Sequence, residues 1–183
     1  MADIAAVTDR DTQGKRVYHE AYVLPESEVD YAHLPEIVES ATARTMAAFT
    51  LKAGAVGFRK FSFVKTTLGG TSEGSAGDIT TAVANTLQGT LGGSRIEIDN
   101  LVQDHMGERV FVVVVDRLTG EKKIWGRPYA PMELRSFSKR ANADNTSCDV
   151  TFANDYHFQP LTYLGDVEPS ADTTDEEEET DGE

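Results

Sequence analysis

The longest apolar run lies near the middle of the chain and is apolar on both of its possible faces. Every residue from Val110 to Val115, within the stretch 109–117, is β-branched or aromatic, which favours a β-strand. Successive side chains of a strand point to opposite faces, so both faces of this strand need a cover. We expect the chain's own core to cover one face, and either a second layer or a neighbouring subunit to cover the other. A turn at 118–121 leads into a return strand at 122–127.

Further segments on both sides of this hairpin also predict strands. Residues 147–153 alternate most cleanly, with Cys148, Val150 and Phe152 pointing inward. The other predicted strands span 16–24, 58–65, 95–99 and 132–138. We expect the core to close near Gly165, because apolar residues continue almost to that point. They are Tyr156, Phe158, Leu161, Tyr163 and Leu164.

Two segments in the first half have helical spacing instead. Residues 35–50 place Pro35 in a first helical turn and repeat apolar residues at three- and four-residue intervals. Asp78 is suited to cap a second helix at 79–87, in which Ile79, Ala82, Val83, Thr86 and Leu87 share a face. Residues 68–77 between them contain four glycines and two serines, which predicts a mobile loop and not a strand.

Together these elements predict one mainly β or α+β domain. The expected architecture is a β-sandwich or partly closed barrel with one or two short helices and a long glycine-rich loop. A chain of 183 residues is long enough for one sizeable core. We expect this domain to span 1–165 and an acidic, disordered tail to follow at 166–183.

The acidic tail accounts for most of the formal net charge of -14. Ten of the 31 acidic residues lie between Asp166 and Glu183, so 21 face the 17 basic residues elsewhere, and the body carries a charge near -4. Such a body is unlike an electropositive groove that binds nucleic acid by neutralising phosphates. A conduit for DNA is a different case, because its wall must not bind the cargo.

Cysteine usage and hydropathy restrict the compartment. Cys148 is the single cysteine, so no internal disulfide forms, which favours a reducing compartment or an assembled particle. Met1–Ile4 shows no secretion signal. No window approaches the ~18 uninterrupted apolar residues of a membrane helix, so we expect no membrane association.

Candidate catalytic and metal-binding residues are few, and each has a simpler structural interpretation. The histidines fall at no recognised ligand spacing; they are His19, His33, His105 and His157. Asp104–His105 lacks an identified nucleophile, and Glu97 and Asp99 are expected on a solvated strand face. The glycine cluster lacks the Lys-Ser/Thr ending of a phosphate-binding loop.

Three further motifs also favour structural roles. Cys148 is predicted to be a buried, inert thiol. The sequon 145–147 is better interpreted as a hairpin turn, and the tail lacks the spaced ligands of a calcium loop. We therefore expect no enzyme activity, no catalytic or cofactor-binding residue, no cofactor and no metal.

Residues 109–154 resemble the C-terminal half of a major tail tube protein of long-tailed, siphovirus-type phages or archaeal viruses. The elements that carry the resemblance are the helix 79–87, the strand 109–116, the strand 122–127 ending in Gly126-Arg127, the strand 132–139 after Pro131, and the strand 147–154. The glycine-rich segment 68–77 is similar to the loop by which such subunits contact the next ring.

The resemblance implies a structural virion protein made in the host cytoplasm. Its subunits would form hexameric rings that stack through residues 68–77 around a tape-measure protein, with genomic DNA as non-specific cargo in the lumen. Strand pairing between subunits would cover the second face of the central strand. Other virion proteins remain open, namely head decoration proteins, connectors and tail terminators, as does a small acidic cellular binding domain. The acidic composition would also suit a halophilic host.

Overall fold

A computed structural model of the chain describes residues 20–40, 42–64, 66–76, 81–92, 98, 105–116, 119–141, 146–155 and 158–167. These residues form eleven strands: β1 Glu20–Pro25, β2 Ile37–Glu39, β3 Arg44–Met46, β4 Arg59–Ser62, β5 Gly69–Ala76, β6 Thr81–Gly92, β7 Arg109–Val115, β8 Lys122–Trp125, β9 Met132–Ala141, β10 Thr146–Asn154 and β11 Leu161–Tyr163. Within these ranges, the one helical element with defined bounds is the 3-10 turn Glu26–Glu28. The mainly β class is confirmed, and the predicted short helices are wrong where the structure describes them.

All eleven strands belong to one sheet that curls on itself. The main order is β2-β3-β11-β8-β7-β9-β10-β6-β5, and β1 lies on the other edge of β7 and pairs with β4. Phe63 forms an isolated bridge with Leu91, and the Val64 N–H donates to the Thr90 carbonyl at 2.7 Å. These contacts bring the end of β4 against β6. Strands β1, β7, β9, β10, β6 and β4 therefore surround a partly closed barrel.

Strand β7 lies between two separate hydrophobic cores. Val110, Val112 and Val114 face the barrel core, which also contains residues such as Leu87 and Phe152. Phe111 and Val113 face a second core, which is built from β1, β3, β8, β11 and the segment between β3 and β4. The chain itself therefore covers both faces of β7. The cover by a neighbouring subunit that the resemblance implied is not needed.

The second core is rich in aromatic residues and ends later than predicted. The Phe49 ring lies 4.6 Å from that of Phe111 and 6.2 Å from that of Tyr163, between centroids. Leu161 and Tyr163 are buried as expected, and burial continues to Val167. Two residues expected in the core are not buried, since Phe158 is 45% exposed and Leu164 is 66% exposed.

The helix predicted at 35–50 is replaced by the hairpin β2–β3 and the start of a connecting segment. Ile37 pairs with Met46, and the Ser40 hydroxyl accepts the Ala43 N–H at 3.0 Å in the turn. Strand β3 then pairs in parallel with β11 through Thr45. The helical spacing was coincidental, because long-range pairing supplies the backbone partners that a helix would otherwise provide.

The glycine-rich loop and the second helix are also wrong, because these segments form the hairpin β5–β6. Strand β6 pairs with β5 on one side and with β10 on the other. Its inward residues recur every second position, and Asn85 and Gly89 alternate there with Leu87 and Leu91. Because Asn85 and Gly89 interrupt the apolar residues, the two-residue period of a strand is not apparent in the sequence. The proposed cap Asp78 and Gly77 lie outside the described residues.

Two glycines of this hairpin are required by close packing. A Cβ at Gly70 would lie 2.2 Å from Cζ2 of Trp125, and a Cβ at Gly89 would lie 2.5 Å from Cδ1 of Phe63. Glycine in these strands therefore allows aromatic rings to lie against the backbone.

The remaining strand predictions, except that at 95–99, agree with the structure in the residues it describes. The segments 58–65, 122–127, 132–138 and 147–153 correspond to β4, β8, β9 and β10, and β1 covers the end of 16–24. Of the segment 95–99, only Ile98 is described; it is helical and buried in the barrel core, so the predicted strand is wrong at that residue.

Candidate assembly surface

Strands β9, β10, β6 and β5 form an antiparallel four-stranded part of the large sheet, with one buried face and one polar face. Its inner face contributes Leu134, Val150, Phe152 and Leu87 to the barrel core. The side chains between these residues point the other way. This polar face includes Thr71, Glu73, Ala84, Thr86, Gln88, Thr90, Glu133, Ser136, Ser138, Arg140, Ser147, Asp149, Thr151 and Ala153.

Hydroxyl groups dominate the polar face and its charges are few. Asp149 accepts a hydrogen bond from Thr90 Oγ1 at 2.6 Å and lies 3.5 Å from Arg140 Nη2. Glu73 and Glu133 add two further carboxylates. The surface is thus polar and weakly acidic, and its apolar side chains are those of alanine.

Each outer strand of this sheet has an edge that the described residues leave open. Strand β5 pairs along its whole length with β6 and, in the described part of the chain, with no other strand. The backbone of Leu134 in β9 exchanges hydrogen bonds with Gly107 and Glu108, at 2.9 and 3.2 Å. Beyond Leu134, β9 pairs only with β10 among the described residues. Open edges of this kind are templates for another strand.

The two open edges lie on opposite sides of the sheet and are staggered. Strand β5 runs opposite 81–88 of β6. The open half of β9 runs opposite 146–151 of β10, which itself pairs with 88–92 of β6. A stagger along the strands accompanies the strand tilt of closed barrels.

The hairpin β5–β6 continues past the end of its neighbour. The last pair between β6 and β10 is Asn85 with Asn154. Beyond that pair, residues 73–76 and 81–84 pair only with each other among the described residues. We call these eight residues the arm. Asn85 and Asn154, at the root of the arm, were missed by sequence reasoning, although polar residues at inward strand positions were a signal.

A cavity of about 640 Å³ lies at the mouth of the barrel. Its floor is apolar, and its rim includes Glu28 and Arg59, whose carboxylate and guanidinium are joined by two hydrogen bonds of 2.8 and 2.5 Å. Glu28 also accepts the Gly57 N–H at 2.9 Å. The Arg59 hydrogen bonds hold the pKa of Glu28 below its usual value. The pair therefore has the geometry of a structural ion pair.

A second structural ion pair closes the corner between β8 and β9. Buried Arg127 donates to both oxygens of Glu39 in β2, at 3.0 and 2.8 Å, and lies 4.4 Å above the Phe158 ring. Arg127 lowers the pKa of Glu39 through these hydrogen bonds. This pair connects strand β2 to the corner.

The candidate chemical residues do not come together in the described part of the chain. His33 contacts Asp30 at 2.8 Å, and His105 pairs with Glu108. Cys148 is fully buried, as predicted. The candidate residues His19, Glu97, Asp99, Asp104 and His157 lie outside the described ranges, as do Asn145 of the sequon 145–147 and the predicted core residue Tyr156.

The described residues contain no group of three or more His, Cys, Asp or Glu residues that could hold a metal ion. No helix within them has the length and hydrophobicity needed to cross a membrane.

No model of a known protein family, no curated protein and no solved structure matches the chain. A functional proposal therefore rests on the geometry of the chain itself.

Proposed function

We propose that this protein is a structural subunit that assembles head to tail through the open edges of β5 and β9. The observation that carries the proposal is that the described residues leave two edges open on opposite sides of the β9-β10-β6-β5 part of the sheet. Strands β5 and β9 run in opposite directions, so pairing β5 of one copy with β9 of the next continues the antiparallel pattern. Such a heterologous contact generates a closed ring when the rotation between copies closes.

The two faces of the sheet support a particular orientation in such a ring. The rest of the body lies behind the inner face, where the barrel core sits. If the bulk of the subunit lies on the outside of the ring, the polar face lines the channel. A hydroxyl-rich wall with few cations offers little to neutralise phosphates. It therefore suits DNA that must pass without binding.

The head-to-tail edges and the polar channel wall are compatible with the virion tail tube that the sequence resemblance implies, and we propose that role for the chain. In this proposal the rings are hexameric and stack around a tape-measure protein in the tail of a long-tailed virus. The arm takes the place of the flexible loop as the element that reaches the next ring. The arm extends along the strand direction beyond the end of β10.

The two edges can be blocked separately with proline, which cannot donate to a ladder. Adjacent residues of an edge strand direct their N–H groups alternately to the neighbour strand and to the open side. We would therefore make Glu73→Pro and Gly74→Pro in β5, and Ser138→Pro and Lys139→Pro in β9. From each pair, the variant that keeps the native circular dichroism spectrum is the edge-blocked protein.

Sedimentation velocity then tests the head-to-tail contact. Each edge-blocked variant alone is expected to be monomeric. A mixture of the β5-blocked and β9-blocked variants is expected to form dimers that do not grow, because each copy retains one edge. Gln88→Lys, on the polar face of the central strand β6, is the control that should still form rings. Rings from either blocked variant alone would contradict the proposal.

Two other functions are distinguished by the same assay. A connector, tail terminator or head decoration protein would form closed oligomers that never elongate. The cavity beside Glu28 and Arg59 favours the alternative of a small binding domain. Such a domain would remain monomeric at every concentration, and the edge variants would have no effect on its mass.

A further inference from the structure

A buried polar layer lies where the arm leaves the body. Asn85 of β6 and Asn154 of β10 are only 3% and 4% exposed. Asn85 Nδ2 donates to Asn154 Oδ1 at 2.9 Å and to the Phe158 carbonyl at 2.7 Å. Asn85 Oδ1 accepts the hydroxyl of Ser72, on the edge strand β5, at 2.5 Å.

The layer continues from the arm into the corner before β9. Asn154 Nδ2 donates to the carbonyls of Ala130 and Pro131, both at 3.2 Å. One chain of hydrogen bonds therefore runs from the edge strand β5, through β6 and β10, to the corner. Removing Asn85 would take a hydrogen-bond partner from the Ser72 hydroxyl and from the buried Asn154 Oδ1, and an unpaired buried acceptor is costly.

Strand β5 has little else to specify its alignment beyond its first residues. Buried Leu68 and the fit of Gly70 against Trp125 fix its start. After Gly70, the residues of β5 on the same face are Ser72 and Gly74; both are exposed, and only Ser72 has a polar side chain. Glycine-rich, polar strands specify register weakly and are prone to slip by two residues. Buried polar groups are known to select one register among several.

We infer that Asn85 is a positioning residue that holds β5, and with it the assembly edge, in a single register through Ser72. The inference rests on the proposed function for its biological meaning, since the aligned edge is the one offered to the next copy. The register itself is a property of the monomer. It can therefore be measured without assembly.

Disulfide trapping in the full-length chain measures the register directly. Glu73 and Ala84 are direct partners, whereas Ser75 comes opposite Ala84 only after a slip of two residues. The native pair is Glu73→Cys with Ala84→Cys, and the slipped pair is Ser75→Cys with Ala84→Cys. Both pairs lie on the polar face, and the buried Cys148 is kept. In the otherwise unchanged chain, the native pair should oxidise much faster than the slipped pair.

The decisive comparison adds Asn85→Ala to both pairs. The ratio of native to slipped cross-linking is expected to fall by about tenfold, and ring formation should be lost. Thr86→Ala, the next residue on β6 but on the polar face, is the matched control and should leave the ratio unchanged. Near-ultraviolet circular dichroism confirms that the barrel remains folded in each variant.

The outcomes separate this inference from the proposed function. An unchanged cross-linking ratio in folded Asn85→Ala would overturn the positioning role, whether or not rings form. A reduced ratio would support that role even if the unmodified chain never forms rings. In that second case only the assembly function would fail.

Discussion

Strand β7 and the hairpin β5–β6 are specified in opposite ways. Val112 and Val113 of β7 point into different cores, and both are fully buried. Past Leu68, the positions of β5 on the face of Gly70 carry glycine and serine. There a close fit to Trp125 and a buried asparagine take the place of apolar burial. Strand β7 is stabilised by the burial of apolar surface area. The register of β5 is instead specified by close packing and hydrogen bonds.

The largest effect is expected from a charge at the centre of β7. Val113→Asp places an unpaired carboxylate in the second core, which should lower the free energy of unfolding by about 4 kcal/mol or more and abolish assembly. Urea unfolding followed by circular dichroism measures the loss. Val56→Asp is the control, because Val56 is 68% exposed. A folded Val113→Asp monomer of unchanged stability would show that the second core does not hold β7.

A smaller effect is expected from a side chain added at Gly70, where β5 packs closely against Trp125. Gly70→Ala would place its Cβ 2.2 Å from Cζ2 of Trp125. The crowding should lower the free energy of unfolding by about 1–3 kcal/mol. Gly69→Ala is a matched control one residue away, because its Cβ would meet nothing within 4 Å. Equal stability of the two variants would mean that the indole ring does not lie against β5.

The smallest effect is expected from the ion pairs outside the two cores. The pKa of Glu28 is lowered by the Arg59 hydrogen bonds, and that of Glu39 by Arg127. A lowered folded-state pKa means that the ionised form stabilises the fold. This stability is fully present above the usual pKa of 4.5 and is lost as the pH falls below it.

Thermal unfolding between neutral and acidic pH measures this contribution. Glu28→Gln should lower the stability at neutral pH by about 1 kcal/mol or less and flatten its decline below the usual carboxyl range. Glu36→Gln, at an exposed position, is the control. A pH profile of stability that is unchanged in Glu28→Gln would show that the Glu28–Arg59 pair does not stabilise the fold.

The contrast between the two regions also explains what the sequence could predict. The run at Val110–Val115 and the alternation at Cys148, Val150 and Phe152 reflect burial on defined faces, so β7 and β10 were predicted correctly. The hairpin β5–β6 was not, because its glycines suggested a loop and its apolar residues happened to fit a helical face. Of those apolar residues, Leu87 packs in the barrel core with residues that are distant in sequence, such as Phe152.

The polar layer illustrates the same limit for the candidate surface. Asn85 and Asn154 are 69 residues apart, and their other partners include main-chain carbonyls, which have no sequence signature. The open edges likewise follow from which strands become neighbours. Strand identity was therefore partly predictable, whereas the two edges and the residues that align them required the structure.

In the proposed assembly, the β5 edge of one copy pairs with the β9 edge of the next. Negative-stain electron microscopy of the purified full-length protein, over a range of protein and salt concentrations, shows whether copies join in this way. We predict closed rings that stack into tubes as the protein concentration rises. Uniform small particles under every condition would contradict the proposed assembly.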